Sequence, residues 1–287
     1  MNPSATPNAP ASPTANASGP APVLEMRGVS FGAMRDQTQV IASDVNWTVR
    51  AGEFWVVAGP QRSGKSDLLL FAAGLMPPLR GRYCCFCVEM PVTGDAPLNA
   101  FPPVGLVFDG GQLFNHLTVA DNLALPLRYH ERLSAEAARQ RVAPVLEATG
   151  LAPMAERLPQ TLGRSWQKRA GLARALVLRP QLLLLDNPLG GLNARHRGWW
   201  LGFLGALGRG RTTLELPPMT LVVTDDAFAP WVRVATHFAL LGEGRFVVIG
   251  DRAALEASAD PLVRELRAHE LPTGATGSET SLWERSG

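Results

Sequence analysis

The sequence lacks any run of about 18 consecutive apolar residues, the length that an α-helix needs to cross a bilayer. Its 27 basic side chains nearly balance its 25 acidic ones, so the net charge of +2 predicts no strongly basic surface for nucleic acid. Its three cysteines, Cys84, Cys85 and Cys87, crowd one segment and form no even set for a disulfide framework, which favours a reducing compartment. Apolar residues make up 46% of the chain, enough to bury a sizeable core.

Lysine is also scarce, since the chain contains only Lys65 and Lys168. Lys65 lies in the segment Gly59–Ser66, which fits the phosphate-binding pattern G-x-x-x-x-G-K-[ST] between a predicted buried strand and a predicted helix. Such a loop turns backbone N–H groups toward phosphate oxygens, while Lys65 reaches the terminal phosphates and Ser66 ligates Mg²⁺. With so few lysines a chance match is improbable, and the segment predicts nucleotide binding.

A second marker is the apolar run Leu182–Leu185, which ends in a carboxylate, Asp186. Such a residue lies at the carboxyl edge of a parallel sheet, beside the phosphate loop, where it can hold Mg²⁺ through water. The run follows the loop by about 120 residues and precedes Asn187 and Pro188. This order along the chain favours a magnesium role over a strand that ends in aspartate by chance.

Short apolar runs alternate with helical periods, the pattern of an α/β domain with a mostly parallel sheet. Residues 1–22 are an uncharged segment rich in proline and alanine, and residues 269–287 are rich in glycine, serine and threonine, so both predict disordered tails around a domain at 23–268. A mostly helical lobe is predicted at about 110–165. The predicted strands are 23–30, 45–49, 54–58, 104–108, 181–185, 221–224 and 246–249, and the predicted helices are 64–75, 135–149, 166–177 and 195–207.

Together these residues resemble the ATP-binding subunits of ABC transporters across about 23–268. The resemblance includes Arg169–Pro180, similar to the helix that follows the family's signature motif, and Val104–Asp109, similar to the strand that enters its glutamine loop. Met26–Phe31 and Leu113–His130 look most like the cassettes that energise phospholipid transport of the Mla or MCE type. The resemblance implies a P-loop fold of ABC type, with an antiparallel β part beside the parallel core.

The resemblance also assigns roles to individual residues. Mg²⁺ would be held by Ser66, Asp109 and Asp186, and the signature loop would be Leu162, Gly163, Arg164, Ser165 and Trp166. Ala33 stands where the family has an aromatic residue that stacks on the nucleotide, with Phe31 nearby as a substitute. ATP would contact Gly59, Pro60, Gln61, Arg62, Ser63, Gly64, Lys65, Ser66, Asp67 and Phe31.

Several positions depart from the family pattern. Asn187 stands where the family has a glutamate that takes a proton from the attacking water, and an amide cannot do so. Asp225 stands where the family has a histidine that contacts the γ-phosphate, and a carboxylate there is expected to repel phosphate. Arg164 and Ser165 replace small signature residues, and Trp166 replaces an amide. Because these changes share one chain, no pairing with another cassette restores a fully standard site.

Two functions follow from this mixture, and a third is less favoured. The first is a transporter subunit, lipid-specific and slow in hydrolysis, at the cytoplasmic face of the plasma membrane with a second cassette, a permease and an MCE-type lipid-binding protein. The second is a pseudo-ATPase that binds nucleotide and regulates such a transporter. The third, a soluble ABC protein acting on nucleic acid or ribosomes, is disfavoured by the single cassette and the small net charge.

Overall fold

The computed structural model describes residues 22–90 and 104–268, which form two packed sheets with helices around them. The larger sheet has six strands in the order β10-β9-β3-β8-β7-β6, and all neighbours are parallel except β10 and β9. Helices cover one of its faces, and the second sheet together with one helix covers the other, so β3 is buried along its whole length. Its strands are β3 Phe54–Ala58, β6 Val104–Val107, β7 Leu182–Asp186, β8 Thr220–Asp225, β9 His237–Gly242 and β10 Arg245–Gly250.

The smaller sheet is antiparallel, with four strands in the order β2-β1-β4-β5. Its inner face packs on the larger sheet through an apolar cluster that includes Trp47 and Trp55, whose rings meet edge to face at 5.5 Å. The alternation of buried and exposed residues along β2 follows from having one face in this cluster and the other in solvent. Its strands are β1 Pro22–Gly32, β2 Val40–Arg50, β4 Arg80–Cys85 and β5 Val88–Met90.

A helical lobe follows β6 and contains α2 Val119–His130 and α3 Ala135–Ala148. Thr118 and Ser134 cap these helices by accepting hydrogen bonds from backbone N–H groups in the first turn. The remaining helices are α1 Lys65–Ala72, α4 Arg164–Leu176, α5 Ala194–Gly208, α6 Arg252–Ala257 and α7 Pro261–Ala268, with short 3₁₀ turns at Ala152–Met154, Pro159–Thr161 and Ala229–Trp231. Across the two described ranges, we find no helix with the length and apolar character needed to traverse a membrane.

The structure confirms the predicted α/β class with a mostly parallel core, an antiparallel part and an inserted helical lobe. Each of the predicted strands and helices is present, with ends that differ by a few residues. Strands β4, β5 and β9 were not predicted; β4 begins Arg-Gly-Arg and therefore shows no apolar alternation in its first half. The two predicted tails lie outside the described residues, except for Pro22, which begins β1.

Candidate functional site

The phosphate loop joins the buried strand β3 to helix α1, as its sequence predicts. Gly64, which precedes the helix, has a φ of 91°, a left-handed conformation that glycine adopts at little cost. A side chain at Gly59 would collide with the backbone carbonyl of Leu241. Both glycines are therefore required by the path of the loop, and the hydroxyl of Ser63 within it is buried without a hydrogen-bond partner. An unpartnered hydroxyl beside a helix N-terminus fits a bound phosphate.

Lys65, at the start of α1, is buried, with 8% of its side chain exposed. Its Nζ donates hydrogen bonds of 2.7 Å to the carbonyls of Gly59 and Pro60, and it lies 3.0 Å from Oδ1 of Asp226. The ammonium is thus held at the carboxyl edge of the sheet by the loop that it belongs to and by the end of β8. Asp226 was not among the residues predicted for the site.

Ser66 and Asp186 form the candidate magnesium position. The hydroxyl of Ser66 donates to Oδ2 of Asp186 at 2.6 Å, and the hydroxyl of Thr224 donates to Oδ1 at 2.9 Å. Hydroxyl and carboxylate oxygens are the ligands that Mg²⁺ prefers. The donor set therefore fits the metal, which would supply positive charge to bound phosphate, with Ser66 and Asp186 holding it. Thr224 orients the carboxylate from behind.

Asp109, the third predicted metal ligand, lies in the same cleft but faces two cations. Arg164 Nη2 lies 3.1 Å from both of its carboxylate oxygens, and Lys168 Nζ lies 2.8 Å from Oδ1. Lys168 is almost fully buried and also donates to the carbonyls of Asn187 and Gly190, at 2.8 and 2.7 Å. Burial lowers the pKa of Lys168, and the neighbouring Asp109 opposes this change. Both lysines of the chain thus lie at this edge of the sheet.

The two consecutive aspartates after Thr224 have different surroundings. The carboxylate of Asp225 is fully buried and accepts hydrogen bonds from the amides of Asp226 and Ala227 and from the indole of Trp231, at 2.7, 3.2 and 2.9 Å. Burial raises its pKa to about 6. The structure does not bring Asp225 into the cleft, where it was expected to face phosphate. Asp226 lines the cleft instead.

The segment with the signature position starts helix α4. Gly163 caps the helix and Arg164 is its first residue. The side chain of Trp166 lies against Arg169, whose guanidinium carbon is 4.4 Å from the ring centre, and against the ring of His196 at 5.4 Å. Burial lowers the pKa of Arg169 to about 10. Trp166 therefore packs within its own chain, Leu162 is buried, and the side chain of Ser165 is half-buried.

Asn187 lies directly after β7 with a φ of 42°. Asparagine adopts this left-handed region several times more often than most residues. Its amide group packs against Gly190, where there is no room for a β-carbon. Asn187, at the position predicted for the general base, lines the cleft and offers an amide with no basic oxygen.

Of the remaining predicted nucleotide contacts, Phe31 lies outside the cleft and Asp67 lies in its lining. Phe31 is fully buried, and its ring stacks on that of Phe71 with centres 5.3 Å apart, so it does not face the cleft. Asp67 lines the cleft, but its carboxylate accepts a hydrogen bond of 2.8 Å from the amide of Met34. The cleft has a volume of about 460 Å³, and its lining is Ala33, Gln39, Ile41, Gln61, Arg62, Gly64, Lys65, Ser66, Asp67, Asp109, Asp186, Asn187 and Asp226.

The fold and the cleft together define a P-loop nucleotide-binding protein. A model of the ABC transporter family matches residues 42–190, which include the phosphate loop, α4 and Asp186. The chain belongs to this family and is an ABC transporter ATP-binding protein.

Relatives across the family resemble the chain over most of its length. It is 30% identical to the intermembrane phospholipid transport system ATP-binding protein MlaF of Escherichia coli, over 85% of this chain and 87% of that protein. It is 36% identical to the sulfate/thiosulfate import ATP-binding protein CysA of Synechococcus elongatus, over 74% of this chain and 58% of that one. The dimeric structure of the cassette MJ0796 in a post-hydrolysis state bound to ADP and Pi is similar in fold, with a TM-score of 0.68, 25% identity and coverage of 77% and 95%.

Proposed function

We propose that this ABC cassette binds ATP with Mg²⁺ in the cleft at the edge of the large sheet and drives transport of phospholipid, with slow hydrolysis. The observation that carries the nucleotide assignment is the convergence of Lys65, Ser66 and Asp186 at one point of that edge. Support for phospholipid comes from the similarity to MlaF, which spans most of both chains. The similarity to CysA covers little more than half of that protein and supports the cassette alone.

The proposed partners follow from the same relatives. A second cassette, identical or different, would supply the other half of a nucleotide sandwich, and a membrane permease would carry the substrate. An MCE-type lipid-binding protein would complete a phospholipid system. The proposed location is the cytoplasmic face of the plasma membrane, bound through the permease, with no nucleic acid as partner.

Slow hydrolysis is proposed because the residues that would activate water are replaced. The amide of Asn187 can orient a water molecule but cannot take its proton, and loss of a positioned base costs about 10² to 10⁴ in rate. Asp225 makes three hydrogen bonds beneath the cleft and presents no group to the γ-phosphate. Positive charge for the phosphates would come from Lys65, from Arg62 at the rim and from bound Mg²⁺.

Steady-state ATP turnover of the purified chain, alone and with its permease, tests the rate. We expect a turnover well below about 1 s⁻¹ that Lys65→Ala abolishes. Arg80→Ala is a matched control, because Arg80 is an exposed cation of β4 outside the cleft lining. A turnover of about 1 s⁻¹ or more, lost in Lys65→Ala and kept in Arg80→Ala, would refute slow hydrolysis.

A pseudo-ATPase is the second candidate, favoured by Asn187 and by the burial of Asp225. It predicts saturable Mg-ATP binding with no turnover, even when the permease is present. Turnover that stays at the level of Lys65→Ala, together with tight binding, would replace slow hydrolysis with this function.

The substrate is tested by reconstituting the cassette and its permease in lipid vesicles. We expect ATP-dependent movement of a fluorescent phospholipid between vesicles and an MCE-type acceptor, and no ATP-dependent uptake of sulfate. Sulfate uptake without phospholipid movement would overturn the lipid assignment and leave nucleotide binding intact.

A further inference from the structure

Every N–H donor of Lys65 is engaged in this structure. An ammonium group has three donors. Those of Lys65 face the carbonyls of Gly59 and Pro60, both at 2.7 Å, and Oδ1 of Asp226 at 3.0 Å. A phosphate oxygen that is to bind Lys65 must therefore replace one of these three acceptors. The two carbonyls belong to the backbone of the loop, whereas the acceptor of Asp226 is a side-chain carboxylate, and 29% of that side chain is exposed.

The neighbouring residue holds the backbone of Asp226 in place. One carboxylate oxygen of Asp225 accepts hydrogen bonds from the amides of Asp226 and Ala227, at 2.7 and 3.2 Å, and the other accepts from Trp231 at 2.9 Å. Asp225 is fully buried, so the backbone of the turn is held from below. The hydrogen bonds of Asp225 thus hold the backbone of Asp226 and leave its carboxylate bound to Lys65 alone among the ion pairs of the described residues.

The other carboxylates of the cleft are engaged elsewhere. Asp67 accepts from the amide of Met34, Asp109 is paired with two cations, and Asp186 accepts from two hydroxyls. Among the residues described, Asp226 is thus the cleft carboxylate that forms an ion pair with the phosphate-loop lysine. Its negative charge stands where Lys65 would meet the terminal phosphates.

Given that the cleft binds nucleotide as proposed above, we propose that Asp226 sets its preference between di- and triphosphates, in favour of the nucleoside diphosphate. Either ligand must displace the carboxylate from Lys65, and the carboxylate then remains within a few ångströms of the phosphates. A triphosphate brings one more negative phosphate to this end of the cleft than a diphosphate does. Repulsion between like charges at this range lowers the affinity for the triphosphate more strongly.

The test is calorimetric titration of the full chain with Mg-ADP and with the Mg complex of an unreactive ATP analogue, at constant free Mg²⁺. We expect the unmodified protein to bind Mg-ADP at least about tenfold more tightly than the analogue. Asp226→Asn keeps the size of the side chain and removes its charge. In this variant the affinity for the ATP analogue should increase more than the affinity for Mg-ADP, so that the preference for Mg-ADP falls to about threefold or less. Asp226→Ala should behave in the same way and serves if the asparagine variant folds poorly.

Two variants serve as matched controls. Asp44→Asn makes the same charge change at an exposed position of β2 outside the cleft and should leave the ratio unchanged. Asp226→Glu keeps the negative charge and should keep the preference for ADP. If both nucleotides bind and the ratio is the same in Asp226→Asn, Asp226→Ala and the unmodified protein, the inference is wrong while the proposed nucleotide site stands. If no variant binds either nucleotide at millimolar concentration, the proposed function fails first.

Discussion

The buried carboxylate of Asp225 makes the stability of the protein depend on pH. Burial raises its pKa from an ordinary 3.8 to about 6, despite three hydrogen bonds that favour the charged form. The folded protein therefore holds this proton more tightly than the unfolded chain does. The stabilising contribution is complete below about pH 3.8 and is lost as the pH rises through about 6.

The size of this contribution follows from the two pKa values. Each tenfold difference in proton affinity is worth about 1.4 kcal/mol, so the whole contribution is about 3 kcal/mol. Most of it, about 2 to 3 kcal/mol, lies between about pH 4 and pH 7. The amide introduced by Asp225→Asn does not titrate, so this part of the pH dependence should disappear in that variant.

Urea unfolding, followed by far-ultraviolet circular dichroism at half-unit steps from about pH 4 to pH 7, measures the effect. The free energy of unfolding of the unmodified protein minus that of Asp225→Asn should fall by about 2 to 3 kcal/mol across this range. Titrating groups that do not interact with Asp225 are common to both proteins and cancel, whereas the neighbouring charge of Asp226 contributes to the raised pKa of Asp225 and belongs to the measured difference. Asp44→Asn removes an exposed carboxylate, and its free energy of unfolding should depend on pH in the same way as that of the unmodified protein. A difference between the unmodified protein and Asp225→Asn that stays constant within about 0.5 kcal/mol would refute the buried-carboxylate argument.

Three further substitutions test contacts at the cleft and in the helical lobe. Lys168→Met keeps an unbranched side chain without the terminal ammonium, and so removes the bonds to Asp109 and to two backbone carbonyls. It should lower the free energy of unfolding by about 2 to 4 kcal/mol in urea titrations; a loss of less than about 1 kcal/mol would contradict this. Asn122→Ala leaves the carbonyls of Phe114 and Leu117 without a buried partner, and calorimetry should show a loss of about 2 to 3 kcal/mol. Asn187→Glu should raise ATP turnover by less than about tenfold, because the residue has a positive φ and packs against Gly190; a gain of about a hundredfold would show that the missing base alone limits the rate.

The parts of the site that depend on residues close together in the sequence were predictable. The phosphate loop lies between a strand and a helix because Gly59, Gly64 and Lys65 form a pattern with one backbone solution. Asp186 reaches the same edge because parallel strands end together there.

Asp225 shows where prediction from local pattern stops. The apolar run predicted a strand ending at Thr224, with Asp225 directly after it and facing the phosphate. The structure continues β8 through Asp225, and because side chains alternate along a strand, its carboxylate points under the sheet edge while that of Asp226 reaches the cleft. The strand ends one residue later than predicted, and therefore Asp226, not Asp225, is the aspartate that lines the cleft.

Phe31 and Arg164 also could not be placed from local pattern, because their contacts are with residues far away in the sequence. Phe31 was expected near the nucleotide, but the packing of the antiparallel sheet on α1 places its ring against Phe71. Arg164 was predicted as part of the signature loop, and the fold brings Asp109, 55 residues earlier, to its guanidinium.

Residue type at fixed local spacing was enough to predict the phosphate loop and the family. The resemblance to that family then predicted that Asn187 and Asp225 replace its glutamate and its histidine. Which carboxylates meet which cations became clear from the folded chain alone: Asp226 pairs with Lys65, and Asp109 pairs with Arg164 and Lys168. The physical reason is that an ion pair needs its two charges within about 4 Å of each other, although the residues are far apart along the chain. Packing of the two sheets and the helical lobe sets those distances.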